Sequence, residues 1–390
     1  MSDVTELSAG LQRLADELNQ GLIEDLVSKG ALSSPAWRAA FEAIPRHWFA
    51  PRFTLPDNAG GQTLDVADSS HREVWLRAVY RNTALLTELE AHEIATTSCS
   101  APSVVATMLE AGQAAEGDRV LEIGTGTGWT AGLLSNRLGS AAVSSVDISP
   151  KCVAEARERL QSLGLNPTLA IWDGYQGYEP GAPYDRIIAT ASLRQVPPAW
   201  LAQVRPGGTI LVDLRGDFAG NLALLTVGAD QSAEGCFLAS GVNFMPLRSG
   251  HQPFDLLPEL SSRAVNDTGE QRTVGLNPAV LRKRGFAFFA QVTMPGTQVG
   301  QVGIKGGARY FCLTDPASQA WARVELADET TERQVTQGGD RRLWDELEAA
   351  HEQWEQLGQP APQDFTVSIS EAGEQMARLP GVEAAWTLPM

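Results

Sequence analysis

Residues 119–129, Arg-Val-Leu-Glu-Ile-Gly-Thr-Gly-Thr-Gly-Trp, set an acid, Glu122, two positions ahead of Gly124, with Gly126 and Gly128 following at alternate positions. Glycines so spaced let a chain leaving a strand adopt positive φ and approach a ligand without Cβ interference. The helix expected over 130–138 points its free N–H groups at the same place. Such a turn holds a nucleoside at the C-terminal end of its strand. Two further acids fall in phase with it. The apolar run 142–146 ends in Asp147, where a carboxylate can accept both ribose hydroxyls, and the strand pattern 168–172 ends at Asp173-Gly174, where a short acid can take an adenine amino group. Taken alone, each of these acids is more often a solvated loop residue; three at successive strand ends, in phase with a glycine turn, read as a site.

Dinucleotide enzymes use Gly-x-Gly-x-x-Gly at this point, but here the third glycine comes one residue early. An acid two positions before Gly-x-Gly-x-Gly is the spacing of S-adenosyl-L-methionine (AdoMet) methyltransferases. The elements that must position these groups alternate: strand, helix 130–138, strand, helix 150–163, strand, then Tyr184-Asp185-Arg186-Ile187-Ile188-Ala189-Thr190-Ala191 as a fourth strand. Arg205-Pro206-Gly207-Gly208 is expected to form a tight turn into a fifth strand over 209–212. Alternation of this kind predicts an α/β fold with a doubly wound, mostly parallel sheet.

Three motifs in one order, Thr97-Ser98-Cys99-Ser100-Ala101-Pro102, Val120 to Gly128, and Asp173-Gly174-Tyr175-Gln176-Gly177 through Tyr184-Asp185, resemble the protein-L-isoaspartate O-methyltransferase family. The lead-in Ala43-Ile44-Pro45-Arg46-His47-Trp48-Phe49 is similar as well, and the resemblance spans residues 20–248. It implies a Rossmann-like class I AdoMet methyltransferase with AdoMet as cofactor. It also implies methyl transfer to the carboxylate of an isoaspartyl residue, whose ester collapses to a succinimide. The same resemblance assigns cofactor contacts to Thr97, Ser98, Cys99, Glu122, Gly124, Thr125, Gly126, Gly128, Asp147, Ile148, Asp173, Gly174 and Thr190. Ser100 matches the catalytic serine on the substrate side, and a serine there can also cap a helix starting near Pro102. Substrate contacts are expected from Ser100, Ser103, Tyr80 and Asn82. A carboxylate acceptor is ionised at pH 7 and needs no general base, so catalysis should come from positioning.

Departures from the family pattern are equally specific. Ser103 stands where an aromatic or histidine is usual, and Ala84-Leu85-Leu86-Thr87-Glu88-Leu89 replaces the family's Pro-Leu-Pro-Ile-Gly-x-Gly-Gln loop. A polar insert over 57–72 reads as a partner-ordered loop. Repair enzymes of the family end near the equivalent of Leu247, whereas this chain has 390 residues. The expected organisation is a helical lead-in over 1–80, a methyltransferase core over 81–248, and a smaller α+β C-terminal domain over 249–390 that recognises the peptide. In that domain, 285–292, 309–313 and 321–326 read as strands of a small antiparallel sheet, 341–357 as a helix with Trp344 and Trp354 in its core, and 365–369 and 384–388 as two last strands. Gln337-Gly338-Gly339-Asp340-Arg341-Arg342-Leu343-Trp344-Asp345 and Trp386-Thr387-Leu388-Pro389 resemble the extensions of relatives that modify ribosomally made peptides. Those relatives methylate an aspartate in a precursor peptide cyclised by an ATP-grasp ligase or another modifying enzyme, driving it to aspartimide. General isoaspartyl repair and a non-catalytic, peptide-binding partner of a ligase are the alternatives, and the extension can equally cover a sheet edge or make a homodimer.

Composition bounds the partners. A net charge of −17 argues against nucleic acid. The four cysteines, at 99, 152, 236 and 312, have no metal-ligand spacing and are too few for a disulfide scaffold, and the five histidines are scattered, so no metal is expected. With neither a secretory segment nor an apolar run of membrane length, a cytoplasmic protein is expected. The Leu7, Leu11, Leu14, Leu18 stripe predicts an amphipathic helix packed on a domain or a second subunit.

Overall fold

The computed structural model describes residues 7–56, 62–89, 95–249, 264–303, 307–326 and 333–388. Residues 57–61 of the polar insert expected over 57–72, and residues 90–94, lie outside these ranges. The chain opens with α1 (Ala9–Ser28), whose first turn is capped by the Ser8 hydroxyl accepting from the Leu11 amide, and α2 (Pro35–Ala43), capped by Ser34. The leucine stripe of α1 packs against the N-terminal core, formed by Trp37, Phe41, Phe49 and Trp75. Short strands β1 (Arg52–Thr54) and β2 (Thr63–Asp65), helix α3 (Arg72–Val79), and strands β3 (Leu85–Leu89) and β4 (Ala95–Cys99) follow, the four strands forming one antiparallel sheet in the order β2-β1-β3-β4. Helix α4 (Pro102–Gly112) leads into the central sheet.

That sheet begins with the predicted alternation: β5 (Val120–Ile123), α5 (Trp129–Leu138), β6 (Val143–Asp147), α6 (Pro150–Ser162), β7 (Thr168–Ile171), β8 (Tyr184–Leu193), α7 (Pro198–Gln203) and β9 (Val204–Arg215). These five strands are parallel. The turn expected at 205–208 is an excursion inside β9: Val204 pairs with Tyr184 and Thr209 with Arg186, so the residues between are looped out, with Gly207 at φ 79°. Neighbouring residues of β8 and β9 feed opposite faces. Ile187 and Ile210 enter the core under the C-terminal part of the chain, Ile188 and Leu211 the N-terminal core.

From β9 onward the sheet is antiparallel. A hairpin at 216–219 returns the chain as β10 (Gly220–Val227), followed by β11 (Ala233–Gly241). The extension then builds a second, five-stranded antiparallel sheet from β12 (Glu270–Val274), β13 (Gln298–Gly303), β14 (Arg309–Asp315), β15 (Ala320–Glu325) and β16 (Arg333–Gly338), in the order β12-β16-β15-β14-β13. Between β12 and β13, residues 285–292 do not form the expected strand; they lie in helix α8 (Arg284–Thr293). An unbroken apolar run has no period to distinguish a buried helix from a buried strand, and Phe286 to Ala290 are all buried. Helix α9 (Leu343–Gln356) buries Trp344 and Trp354. The sequence motif before it is a structural junction: the Gln337 side chain donates to Asp345 (2.8 Å) and accepts from the Trp344 amide (3.1 Å), and Arg341 bridges Asp315 (2.9 Å) and Glu346.

The last three strands, β17 (Thr366–Ile369), β18 (Gln375–Arg378) and β19 (Ala385–Leu388), rejoin the central sheet, β17 pairing with β11. The full order is β19-β18-β17-β11-β10-β9-β8-β5-β6-β7. The expectation of a mostly parallel sheet is therefore corrected to a mixed one, parallel from β5 to β9 and antiparallel beyond, because the extension continues the sheet past a tight hairpin. One hydrophobic core joins Leu121, Ile187 and Ile210 to Phe286, Trp344 and Phe365, crossing the boundary expected near residue 249. Among the described residues no helix is long and apolar enough to cross a membrane.

Candidate active site

The C-terminal ends of β5, β6 and β8 open into a cavity of about 280 Å³. Its walls include Thr97, Ser98, Ser100, Gly124, Thr125, Gly126, Asp147, Ile148, Gly174 and Thr190. Close packing requires two of the turn's glycines. A Cβ on Gly124 (φ 96°) would lie 2.9 Å from the Thr190 hydroxyl, and one on Gly128 (φ 90°) 2.9 Å from the Ala156 Cβ in α6. Asp147 fastens the turn: one carboxylate oxygen accepts from the Gly126 amide (2.8 Å), the other from Ser149 (2.9 Å). Each oxygen keeps acceptor capacity toward the cavity.

Glu122 and Cys99 are not in the cavity wall; both are buried behind it. Glu122 accepts a 2.5 Å hydrogen bond from Ser145, whose oxygen lies 2.7 Å from the Thr125 hydroxyl, so the acid stands beneath the turn as its base. Burial pushes its carboxyl up to about 8, partly offset by the Ser145 bond, while the charge of Asp147 adds to the rise. Gly128 caps α5 outside the cavity. Asp173 lies off the wall and spends one oxygen on the Tyr175 amide (3.0 Å), opening the short turn Gly174–Gln176.

On the other side, Ser100 faces the cavity while its carbonyl accepts from Arg46 (2.8 Å). It does not cap α4: the cap position is Ala101, and the side chain serving that helix start is Asn82, which accepts from the Ser103 amide (3.0 Å). This corrects the expectation for Asn82 and Ser103, which are joined to each other and absent from the cavity wall. Tyr80 is corrected too. It is buried and its hydroxyl meets His47 Nδ1 at 2.6 Å, while burial holds His47 down at about 4, hence neutral at pH 7.

Two sets of residues that shape the site were not among the expected site residues. Asn243 to Arg248 close the cavity from above, held by Met245 O accepting from the Ser192 amide (2.9 Å) and by the Leu247 amide donating to Ser192 O (2.8 Å). Arg46, fully buried, donates to five carbonyls, those of Val79 (2.6 Å), Arg81 (3.0 Å), Thr83 (2.8 Å), Cys99 (3.0 Å) and Ser100 (2.8 Å). Its place in the lead-in motif was the only signal for it.

Known proteins place this site. The family model for Protein-L-isoaspartate(D-aspartate) O-methyltransferase matches residues 58–252. The chain is 33% identical over 199 residues to the protein-L-isoaspartate O-methyltransferase of Ignicoccus hospitalis, covering 50% of this chain and 82% of that protein. It is 32% identical over 240 residues to protein-L-isoaspartate O-methyltransferase 1 of Nitrosospira multiformis, covering 60% and 89%. A solved structure titled protein-L-isoaspartate O-methyltransferase superposes with a TM-score of 0.53 at 22% identity, over 93% of this chain and 99% of that one. Residues 1–248 alone cannot supply that share, so the extension's fold is not peculiar to this chain, and the expectation that relatives stop at the equivalent of Leu247 fails for that structure. The glycine turn, its acids and these matches lead to one conclusion: the chain belongs to the protein-L-isoaspartate O-methyltransferase family and is an AdoMet-dependent methyltransferase.

Proposed function

We propose that this enzyme methylates an aspartate-derived carboxylate in a ribosomally made precursor peptide already cyclised by an ATP-grasp ligase or a comparable modifying enzyme. The observation that carries this reading is the cavity mouth: β3 brings Leu86, preceded by Ala84, into the wall where the family has a glycine- and proline-rich peptide loop. The resemblance of Gln337 to Asp345 and of the terminal strand to peptide-tailoring relatives supports it. Isoaspartyl repair is the second reading, favoured by the shared architecture of the solved structure described above.

In either case Asp147 would hold the ribose, Gly124 and Gly126 would lie under the nucleoside, and the Thr97 to Ser100 backbone would run beside the methionine part of AdoMet. Bound AdoMet supplies a methyl carbon made electrophilic by the adjoining sulfonium. Ser100 donates its hydroxyl to one oxygen of the acceptor carboxylate and orients the other. Held there, the acceptor oxygen would take that methyl group, the sulfur leaving as a neutral thioether. In the ester, the next residue's amide nitrogen attacks the carbonyl, methanol leaves, and a succinimide ring remains.

Two variants separate these roles. Asp147→Ala should weaken S-adenosylhomocysteine binding by about 1–3 kcal/mol, the cost of unpaired hydrogen-bond partners; unchanged affinity in calorimetry removes Asp147 from the cofactor site. Ser100→Ala should slow methyl transfer by roughly 10–100-fold, as expected for one hydrogen bond to a charged group, with cofactor affinity unaltered. Parallel loss of both properties would deny it the substrate-side role. The acceptor itself is tested by mass spectrometry on a linear isoaspartyl peptide and on a cyclised precursor peptide, each incubated with enzyme and AdoMet. Methyl gain followed by methanol loss on the cyclised peptide alone supports tailoring; methylation of the linear peptide alone makes this a repair enzyme.

A further inference from the structure

The 242–248 segment that roofs the cavity is held by β8 and β9, and the end of β11 that leads into it is held by the extension. Its Phe244 amide donates to Asp213 (3.1 Å) on β9, and its Phe244 carbonyl accepts from Arg215 (2.9 Å) and Ser192 (3.1 Å). Behind it stands Arg284, the first residue of α8. The Arg284 guanidinium donates to the Asn221 side chain (3.1 Å) and to the carbonyls of Leu238 (3.2 Å), Ala239 and Ser240 (2.8 Å), closing the end of β11 where the roof begins. One turn-pair further along α8, Gln291 accepts from the Phe218 (3.0 Å) and Ala219 (2.9 Å) amides and so holds the β9–β10 hairpin. Packing leaves no slack: a Cβ on Gly220 would lie 2.7 Å from the Val242 carbonyl and 2.8 Å from Asp213 Oδ1.

We propose that Arg284 and Asp213 are positioning residues for methyl transfer: Asp213 pins the 242–248 roof through Phe244, and through Arg284 the extension holds the end of β11 that leads into that roof. Neither touches the cavity; each acts through Phe244 or through the β11 end that leads to it. Burial drives Asp213 up to about 6, the Phe244 amide and the Arg215 and Arg284 charges drawing it back, so at neutral pH it is an anion between two guanidiniums. The extension thereby contributes to the reaction whichever peptide it accepts.

The test is amide hydrogen exchange on the full-length enzyme, with methyl transfer to whichever of the two peptides above the parent enzyme methylates as the second readout. Arg284→Gln and Asp213→Ala should speed exchange at 238–248 and lower kcat/KM by about tenfold or more, as displaced positioning groups do, while S-adenosylhomocysteine affinity falls far less. Asp213→Asn should recover most of the rate, because its amide oxygen still accepts from Phe244 N–H. Lys283→Ala, one residue away and packed over Trp354, should leave both readouts unchanged. Unaltered exchange over 238–248 in folded Arg284→Gln overturns the proposal, as does an Asp213→Asn enzyme no better than Asp213→Ala. The exchange readout needs no substrate, so it stands apart from the question of which peptide is methylated.

Discussion

Replacing Arg46 by methionine is expected to lower the unfolding free energy by about 3–5 kcal/mol, the range for removing one partner from a buried charged network, and to abolish cofactor binding at ambient temperature. The side chain is fully buried, and its terminal nitrogens donate to five carbonyls drawn from two stretches, Val79 to Thr83 and Cys99 to Ser100. Without the guanidinium the Arg81 carbonyl keeps the Thr83 amide as donor (2.8 Å), but the carbonyls of Val79, Thr83, Cys99 and Ser100 lose this partner, and the buried ones among them leave a desolvation cost. Burial lowers the guanidinium's pKa from its usual value, yet a planar fork with five N–H groups stays charged and matches carbonyls arriving from two directions. Lysine offers a compact point charge on a flexible stem, so Arg46→Lys should restore less than half of the loss. Loss of a large part of a typical stability margin shows directly in urea unfolding followed by tryptophan fluorescence. A midpoint for Arg46→Lys equal to that of the parent would mean that the carbonyls are satisfied some other way. Excess S-adenosylhomocysteine should raise the variant's midpoint only if the loop can still form.

How much of this was legible in the chain depends on the range over which each feature is encoded. The glycine turn, its strand, and the acids at the ends of β6 and β7 are local patterns, and the structure brings Gly124, Gly126 and Asp147 to one cavity. Ser100 could not be separated from a helix cap by sequence, because the residue that serves α4 is Asn82, eighteen positions or more away in the chain and visible only after folding. Tyr80 looked like a substrate contact for its type and place, but its hydroxyl faces inward to His47. The roof over 242–248 has no motif at all. It is a crossing strap whose hydrogen bonds come from β8 and β9. Phe286 to Ala290 misled for a physical reason: buried on all sides, they carry no periodicity. Strands β17 to β19 were readable as strands, whereas their return to the first sheet depends on a pairing with β11 that no local pattern encodes.

Glu122 gives the second large effect, and its sign is fixed by the direction of the shift. A carboxyl raised to about 8 in the folded protein, against an ordinary 4.5, keeps its proton on folding where the unfolded chain has lost it. Native protein therefore binds more protons than unfolded protein across that interval, and stability must fall as pH rises through it, levelling above the folded value. His47, lowered to about 4 from 6.5, acts oppositely, but its contribution is complete by about pH 6.5. Asp213, raised to about 6, shares the sign of Glu122 and has largely titrated by then. Between pH 6.5 and 8 the parent should thus lose about 2 kcal/mol through Glu122, and Glu122→Gln should lack that slope. The glutamine can still accept from Ser145, so the turn keeps its base, although its new N–H₂ enters a place where Glu122 Oε1 has no partner among the described residues. An absolute loss of about 1–3 kcal/mol is expected at pH 6 from that unpaired donor, narrowing as the parent ionises. Chemical denaturation at several pH values measures both. Parallel curves for the two proteins from pH 6.5 to 9 would show that Glu122 is ionised throughout, and the carboxylate would then be a fixed negative charge beneath the turn.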